Sequence, residues 1–400
     1  MIKREIIQAY ALKNSLEHKG NAIVGAVINS LFNEGLKKEK IKDIIPEVQD
    51  VINEINDWDL EVKEKEFKKV KKLIGHRETR DGLPKIPNIK KGKVIMRFSP
   101  SPSGPLHIGH ALTSSLSYLY VKEFGGKFYV RIEDTNPENI YKPAYKMIKE
   151  ESEWLFEKKA KIIIQSKRLE IYYKYVEKLI NKNSAYICTC NSEEFKNLLL
   201  KKKPCPCRNL SIKEQKQRWE KMLDKKGYKQ GEAVLRFKSD LNNNNPAMRD
   251  FPLARINTNP HPLEKNKYKV WPLMNLAVTV DDIEFKMTHI IRAKEHRDNA
   301  KRQEMIYKVL NKKIPWTGFL GRIHLTDFNL SASQMRKDFE RGKYKSWDDP
   351  KLPTLQSLKK QGYKPQAFHK FAEQIGLNEN DKKIEKKEFF LMLDNFNKKI

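Results

Sequence analysis

Apolar residues recur at helical spacing at the start of the chain. Ile2, Ile6, Ala9, Leu12 and Leu16 share one face, and Gly20-Asn21 breaks the pattern. Further helices are expected over Ile23–Phe32 and about Ile41–Ile55, followed by the charged amphipathic stretch LEVKEKEFKKVKKL. Residues 76–93 are rich in Gly, Pro and cations and read as a linker, so a helical N-terminal domain with its linker is expected over 1–90.

From residue 94 the texture alternates between short apolar runs and helical periods. Strands are expected at Val94–Phe98, Lys127–Glu133 and Lys161–Gln165. Helices are expected at His110–Phe124, Pro143–Glu157 and Leu169–Asn181. A turn-rich segment bearing cysteines, about 186–265, interrupts the alternation. It resumes with helix Pro272–Asp281, strand His289–Arg292 and helix Lys294–Leu310. Strand–helix alternation implies a parallel sheet with crossover helices. The expected class is α/β: a Rossmann-like parallel-sheet domain over 91–330 with an inserted segment, and a helical region over 331–400.

Charge sharpens the picture. Eighty Lys and Arg against 51 Asp and Glu leave a net charge of +29, which points to a polyanion such as nucleic acid, or to a lysine-rich solvated surface. The sequence contains no apolar run of about 18 residues. Its N-terminus carries acids and lacks an apolar signal core, so no membrane association and a cytoplasmic location are expected.

The sharpest motif is RFSPSPSGPLHIGHALTSS, residues 97–115, between a strand and a helix. It has the Gly-x4-Gly of a P-loop, but His110-Ala111 stands where Lys-Ser/Thr belongs, and no G-x-G-x-x-G occurs. Two imidazoles, His107 and His110, in the first turn of a helix can face one phosphate chain, helped by the free N–H groups of the helix start. They can also stabilise charge that builds on a phosphate under attack. Gly109 leaves room for an adenine against the backbone. The plainer alternative is a pair of helix-capping histidines. The four cysteines form two C-x-C pairs, Cys188/Cys190 and Cys205/Cys207, 14 residues apart. Four thiolates suit a structural Zn²⁺, and four reduced thiols in a turn-rich insert are the alternative.

The HIGH string at 107–110 resembles the signature of class I aminoacyl-tRNA synthetases. RFSPSPSGPLHIGHA with RIEDTNPE (131–138), VWPLMNLAVTVDD (270–282), THIIRAKEH (288–296) and SWDDPKLPTL (346–355) resemble the archaeal-type glutamyl branch, and ALKNSLEHKGNAIVGAVINS resembles the helical domain that precedes its catalytic domain. The resemblance implies ATP with Mg²⁺, glutamate and tRNA as substrates, with tRNA bound before the adenylate forms. It implies Arg97 for a substrate carboxylate, Glu133 for the ammonium, and Arg292 as the second substrate arginine. Ser99 belongs to the same substrate site and Gly109 to the ATP site. The insert resembles the family's acceptor-end binding region.

Two departures stand out. Met274 occupies a place where the family often carries tyrosine. The family's lysine-bearing loop over the ATP phosphates corresponds to NLSASQMRK, 329–337, where Ala332 and Gln334 replace lysines. Ser331, Ser333 and Arg336 are then the ATP-loop candidates and Lys337 the catalytic cation. A tRNA-binding paralogue without activation chemistry, including a glutamyl-queuosine-type short form, is the second reading. The family also carries C-terminal β-barrels that read the anticodon. This sequence ends about 45 residues after SWDDPKLPTL, so a fragment, half of a split enzyme or a short form is expected, with contacts to the tRNA acceptor stem and 3′ end. A monomer is expected.

Overall fold

The computed structural model describes residues 2–18, 20–74, 82–326 and 330–400, and of Lys38 only the backbone. Residues 76–81 of the expected linker and Asn329 of the expected ATP loop lie outside the described residues. The chain divides into two compact units, Met1–Arg80 and Asp81–Ile400.

The first unit contains helices α1 (Arg4–Glu17), α2 (Val24–Leu31), α3 (Ile41–Asn56) and α4 (Leu60–Val70). Of the stripe the periodicity marked, Ala9 and Leu12 are buried and Ile2, Ile6 and Leu16 half-buried, and the core face is turned toward Ile7, Tyr10 and Ala11. Ile7 and Leu12 of α1 meet Val27 and Leu31 of α2 and Val48, Ile52 and Ile55 of α3, all buried. Burying each such side chain is worth about 1.5–3 kcal/mol, and that gain outweighs the modest helix propensity of β-branched residues.

The second unit is organised around parallel strands. β1 (Val94–Phe98) pairs in parallel with β2 (Gly126–Ile132), and β2 with β3 (Ala160–Ile164). Helices α5 (Ile108–Phe124) and α6 (Ala144–Leu155) make the crossovers. Gly126 has φ +143, and a Cβ there would lie 1.9 Å from the Val94 carbonyl oxygen, so only glycine can open β2 at that register. Helix α7 (Leu169–Asn181) then leads into the insert. There β4 (Ala185–Cys188), β5 (Val234–Phe237), β6 (Pro252–Ile256) and β7 (Val270–Pro272) form an antiparallel sheet. Helices α8 (Ser192–Leu200) and α9 (Ile212–Leu223) belong to the same insert. The antiparallel sheet thus extends to Pro272, past the expected end of the insert near 265.

The alternation resumes with α10 (Met274–Glu284), β8 (His289–Ala293), α11 (Arg297–Val309) and β9 (Trp316–Leu320), with β8 and β9 parallel. The Thr288 N–H donates to the Ile95 carbonyl at 3.0 Å, and the Ile95 N–H donates to Thr288 Oγ1 at 2.9 Å. Ile95 points both backbone groups away from β2, so β8 stands on the free side of β1. β3-β2-β1 and β8-β9 are two hydrogen-bonded sheets, which the Thr288–Ile95 bonds set side by side in the order β3-β2-β1-β8-β9, reversing between β1 and β8. In doubly wound sheets that reversal opens a crevice at the carboxyl ends of the strands, where ligands bind.

The C-terminal region is helical, as expected, with one short strand added. After β10 (Ile323–Leu325) and helices α12 (Ala332–Glu340), α13 (Leu355–Lys360) and α14 (Pro365–Ile375), a three-residue strand β11 (Lys382–Ile384) pairs in parallel with β10. Helix α15 (Lys386–Lys398) follows. Neither β9 nor β10 was expected. β10 has three residues, too few to carry a period, and the Gly318 in β9 interrupts its apolar run. Phe368, Phe371, Phe389 and Leu393 of α14 and α15 join the same core as Leu112 and Leu116 of α5.

Candidate active site

Helix α5 begins two residues before the sequence pattern indicated. Ile108 is its first residue and His107 its cap, so the two histidines stand at the helix mouth. Their rings stack with centroids 3.8 Å apart and planes 25° from parallel, and the His107 N–H donates to His110 Nδ1 at 3.3 Å. Burial lowers both imidazoles, His107 well below the usual range with His110 adding to it, and His110 to about 4. Both are therefore neutral near pH 7. The two histidines also form a capping box, each side chain set against the other's backbone N–H, so the helix-capping role is present at this helix start, and His107 Nδ1 is buried there without a well-formed hydrogen bond.

The HIGH lead-in is held by a distant segment. Leu106 O accepts from the Leu355 N–H at 3.0 Å, and the Ile108 N–H donates to Pro353 O at 3.0 Å, with His107 and Thr354 in a β-bridge. That strap is the SWDDPKLPTL segment. Thr354 Oγ1 donates to Trp347 O at 2.6 Å, and Trp347 stacks on Phe339 of α12 with centroids 4.5 Å apart.

The carboxyl ends of β1, β2 and β8 carry the charged residues. Arg97 Nε and Nη2 each donate to Asp282 at 3.2 Å. The fully buried Arg131 donates to Asp282 at 2.6 Å and to Glu133 Oε1 at 3.0 Å. Arg131 and Glu133 are two residues apart and so share a face at the end of β2. Asp281 accepts from Gln165, Arg168 and Tyr172. Burial alone would raise Asp282, but Arg97 and Arg131 bring it below its ordinary value. Arg292 differs. Its Nη1 donates to Gln303 Oε1 at 3.0 Å rather than to a carboxylate. Burial, with Arg97 nearby, lowers it to about 10, so it remains charged near pH 7. Four guanidiniums (Arg97, Arg131, Arg168, Arg292) face three carboxylates (Glu133, Asp281, Asp282), which leaves one net positive charge.

Arg97, Ser99, Glu133, Met274, Arg292 and His296 line a cavity of ≈ 190 Å³. Ser99 Oγ is buried without a partner. A second, larger cleft of ≈ 750 Å³ is lined by His107, Gly109, His110, Arg322, His324 and Ser331. Thr113, Ala293, His296 and Leu320 line both, so the two adjoin along these residues. A Cβ on Gly109 would lie 3.1 Å from the His107 ring and 3.5 Å from Leu330. A side chain at 109 would therefore crowd the His107 imidazole, while Gly109 itself lines the open cleft.

Of the ATP-loop candidates, Ser331 caps α12 and lines the cleft, its Oγ 3.1 Å from Ser333 Oγ. Arg336 lies over the Tyr141 ring and beside Glu340, and Lys337 is exposed; neither lines the cleft. Gln334 donates to Asp338 at 2.9 Å along its own helix. Sequence reasoning did not single out Asp282, Arg131, Arg322, His324 or His296. The doubled acid of VTVDD was the one available signal for Asp282.

The four cysteines converge at one end of the insert. Their sulfurs all lie within 4.8 Å of one another, with Cys188–Cys205 at 3.8 Å and Cys190–Cys207 at 3.9 Å. Tetrahedral zinc with Zn–S near 2.3 Å needs sulfurs about 3.8 Å apart, so the set fits that ion. Cys207 Sγ also accepts from the Thr189 N–H and from Arg218 at 3.3 Å, the kind of outer contact that orients a thiolate ligand. Among the described residues no helix is long and apolar enough to cross a membrane.

A doubly wound sheet with a histidine pair at its first helix and an arginine-rich crevice at its switch point is the catalytic fold of a class I synthetase. The family model described as tRNA synthetases class I (E and Q), catalytic domain, matches residues 93–395, and the chain belongs to this family. It is 42% identical over 391 residues to a glutamate–tRNA ligase of Thermococcus kodakarensis, an alignment covering 95% of this chain and 68% of that protein. It is 40% identical over 381 residues to a glutamate–tRNA ligase of Methanocaldococcus jannaschii, again covering 95% and 68%. The chain thus spans about two thirds of the length of these relatives. A crystal structure of a glutamate tRNA ligase from Elizabethkingia meningosepticum in complex with its amino acid shares the fold. Its TM-score is 0.55 at 22% identity, covering 77% of this chain and 69% of that one.

Proposed function

We propose that the chain is a glutamate–tRNA ligase, which joins glutamate to ATP as glutamyl-adenylate and then to the 3′-terminal ribose of tRNA. The observation that carries this reading is the Arg97–Glu133–Arg292 cavity adjoining the HIGH cleft, with Thr113, Ala293, His296 and Leu320 lining both. Glutamate carries one ammonium and two carboxylates, a net single negative charge, and the cavity lining offers two guanidiniums, Arg97 and Arg292, and one carboxylate, Glu133. Glu133 receives the ammonium, Arg97 the α-carboxylate and Arg292 the side-chain carboxylate, as charge-assisted hydrogen bonds favour. Ser99 Oγ supplies a further polar contact.

In the first step the α-carboxylate oxygen attacks the α-phosphorus of ATP, and pyrophosphate leaves. His107 and His110 are neutral, and their N–H groups donate to the phosphate oxygens on which charge builds. Mg²⁺ accompanies the nucleotide and neutralises its phosphates. Arg336 and Lys337 on α12 are assigned to the pyrophosphate, which requires α12 to close over the cleft. In the second step a ribose hydroxyl of tRNA attacks the adenylate carbonyl and AMP leaves. Zn²⁺ on Cys188, Cys190, Cys205 and Cys207 would brace the insert that receives the acceptor end. The protein is read as a cytoplasmic monomer.

Exchange of labelled pyrophosphate into ATP with glutamate and a tRNA pool tests the reading. Glutamate- and tRNA-dependent exchange is expected. Tight tRNA binding with no exchange would favour the paralogue reading, to which Gln334, tied to Asp338 where a lysine belongs, gives its support.

A further inference from the structure

Helix α6 presents a buried stripe to the core, made of Ala144, Ile148, Ser152 and Leu155. Glu151 lies on that stripe, where the periodicity calls for an apolar or small side chain, and it is only 4% exposed. Among the described residues no cation pairs with it. A carboxyl in such a place is costly unless its hydrogen bonding repays the burial. Its Oε2 accepts the Leu106 N–H at 2.7 Å, the residue immediately before His107. The Gln356 side chain of α13 lies beside the carboxyl, and burial pushes its pKa up to about 8.

The loop that carries the histidines is therefore gripped from two sides. The strap holds it through backbone groups at Pro353 and Leu355. Glu151 holds it from the core through a side chain. A shift of Leu106 moves the cap residue His107, and with it the stacked pair at the mouth of α5.

We propose that Glu151 is a positioning residue for the nucleotide site: by accepting the Leu106 N–H in the core, it sets where His107 and His110 stand in the cleft. Its kinetic test rests on the ligase reading above; its structural test does not. Glu151→Gln keeps an acceptor of the same length, whereas Glu151→Leu fills the space and leaves the Leu106 N–H unpaired.

Three measurements follow on the full chain: kcat and both KM values in tRNA-dependent pyrophosphate exchange, the imidazole resonances of His107 and His110, and hydrogen exchange of the Leu106 amide. The Leu variant is expected to lose about tenfold or more in kcat, the scale of a misplaced transition-state donor. Its KM for glutamate should stay within about twofold, because the arginine cavity is untouched. Its histidine resonances should shift and its Leu106 amide should exchange faster. The Gln variant should remain close to wild type in all three. A purely structural role would lower the melting temperature while leaving kcat per folded molecule and the histidine resonances unchanged, and that result overturns the proposal. So does a Gln variant as impaired as Leu, or a Leu106 amide that exchanges freely in the wild-type protein, a result that needs no variant to fold. A wild-type protein without exchange activity would defeat the ligase reading, while the resonances and the amide would still decide the role of Glu151.

Discussion

Arg97 grips Asp282 through two hydrogen bonds of 3.2 Å, 185 residues apart in the chain. The contact pairs one of the two arginines proposed for the substrate, whereas Arg292 has, among the described residues, no ion pair and donates to Gln303 instead.

Arg292→Ala should therefore raise KM for glutamate by about tenfold or more, since a hydrogen bond to a charged group is worth about 1.5–3 kcal/mol. KM for ATP should change little. Steady-state pyrophosphate exchange at varied glutamate separates the two. Equal glutamate KM values in wild type and variant would remove Arg292 from the substrate site.

His107→Ala and His110→Ala should each lower kcat by at least about tenfold, with the fold retained, because one lost donor to a developing oxyanion is often worth about 2.7–4 kcal/mol. Circular dichroism checks the fold and exchange kinetics the rate. Unchanged rates in both variants would refute their assignment.

The α12 region allows a sharper test. Gln334 lies four residues before Asp338 and already bonds it. A lysine at 334 would pair with the same acid, so Gln334→Lys should raise the exchange rate by less than about threefold, as expected for a side chain tied up in a surface i,i+4 pair. Lys337→Ala, in contrast, should lower it by about tenfold if that exposed amine reaches the pyrophosphate. A large gain from Gln334→Lys would show that the substituted loop limits catalysis.

Metal analysis of tag-free protein should find one zinc per chain, bound by Cys188, Cys190, Cys205 and Cys207. Removing it with a strong chelator should lower thermal stability, because binding to a site that exists only in the fold adds to folding free energy. Four freely titratable thiols with no zinc would end this assignment.

Glu151 makes stability depend on pH. Its folded pKa, about 8, lies above the ordinary carboxyl value because of burial, with neighbouring Glu150 adding repulsion. The unfolded state then releases a proton that the folded state keeps, so stability falls as pH rises. The contribution is complete below about pH 4.5 and is lost progressively as pH rises to about 8. The melting temperature of the wild type relative to Glu151→Gln should fall across that window and level off above it. A constant difference would mean that Glu151 does not titrate there.

Local pattern located the helices of the first unit, β1 to β3 and the body of α5, though not its first turn, because each is a local run of buried positions. The histidine pair and the two C-x-C pairs were legible for the same reason: their members are close in sequence. What tertiary structure decided was which distant residues meet. Asp282 reads in sequence as one of two acids ending a helix, and only the order of β1 beside β8 brings it to Arg97. Glu151 stands on the apolar face of its helix, and only the fold shows that the Leu106 N–H meets it there. β10 and β11 are three residues each, too short to carry a period, and exist because pairing across more than fifty residues satisfies their backbones. Side-chain pattern records which face of an element is buried; it does not record what lies against that face. The placement of the charges at this site therefore came from strand order and long-range packing rather than from any local stretch of sequence.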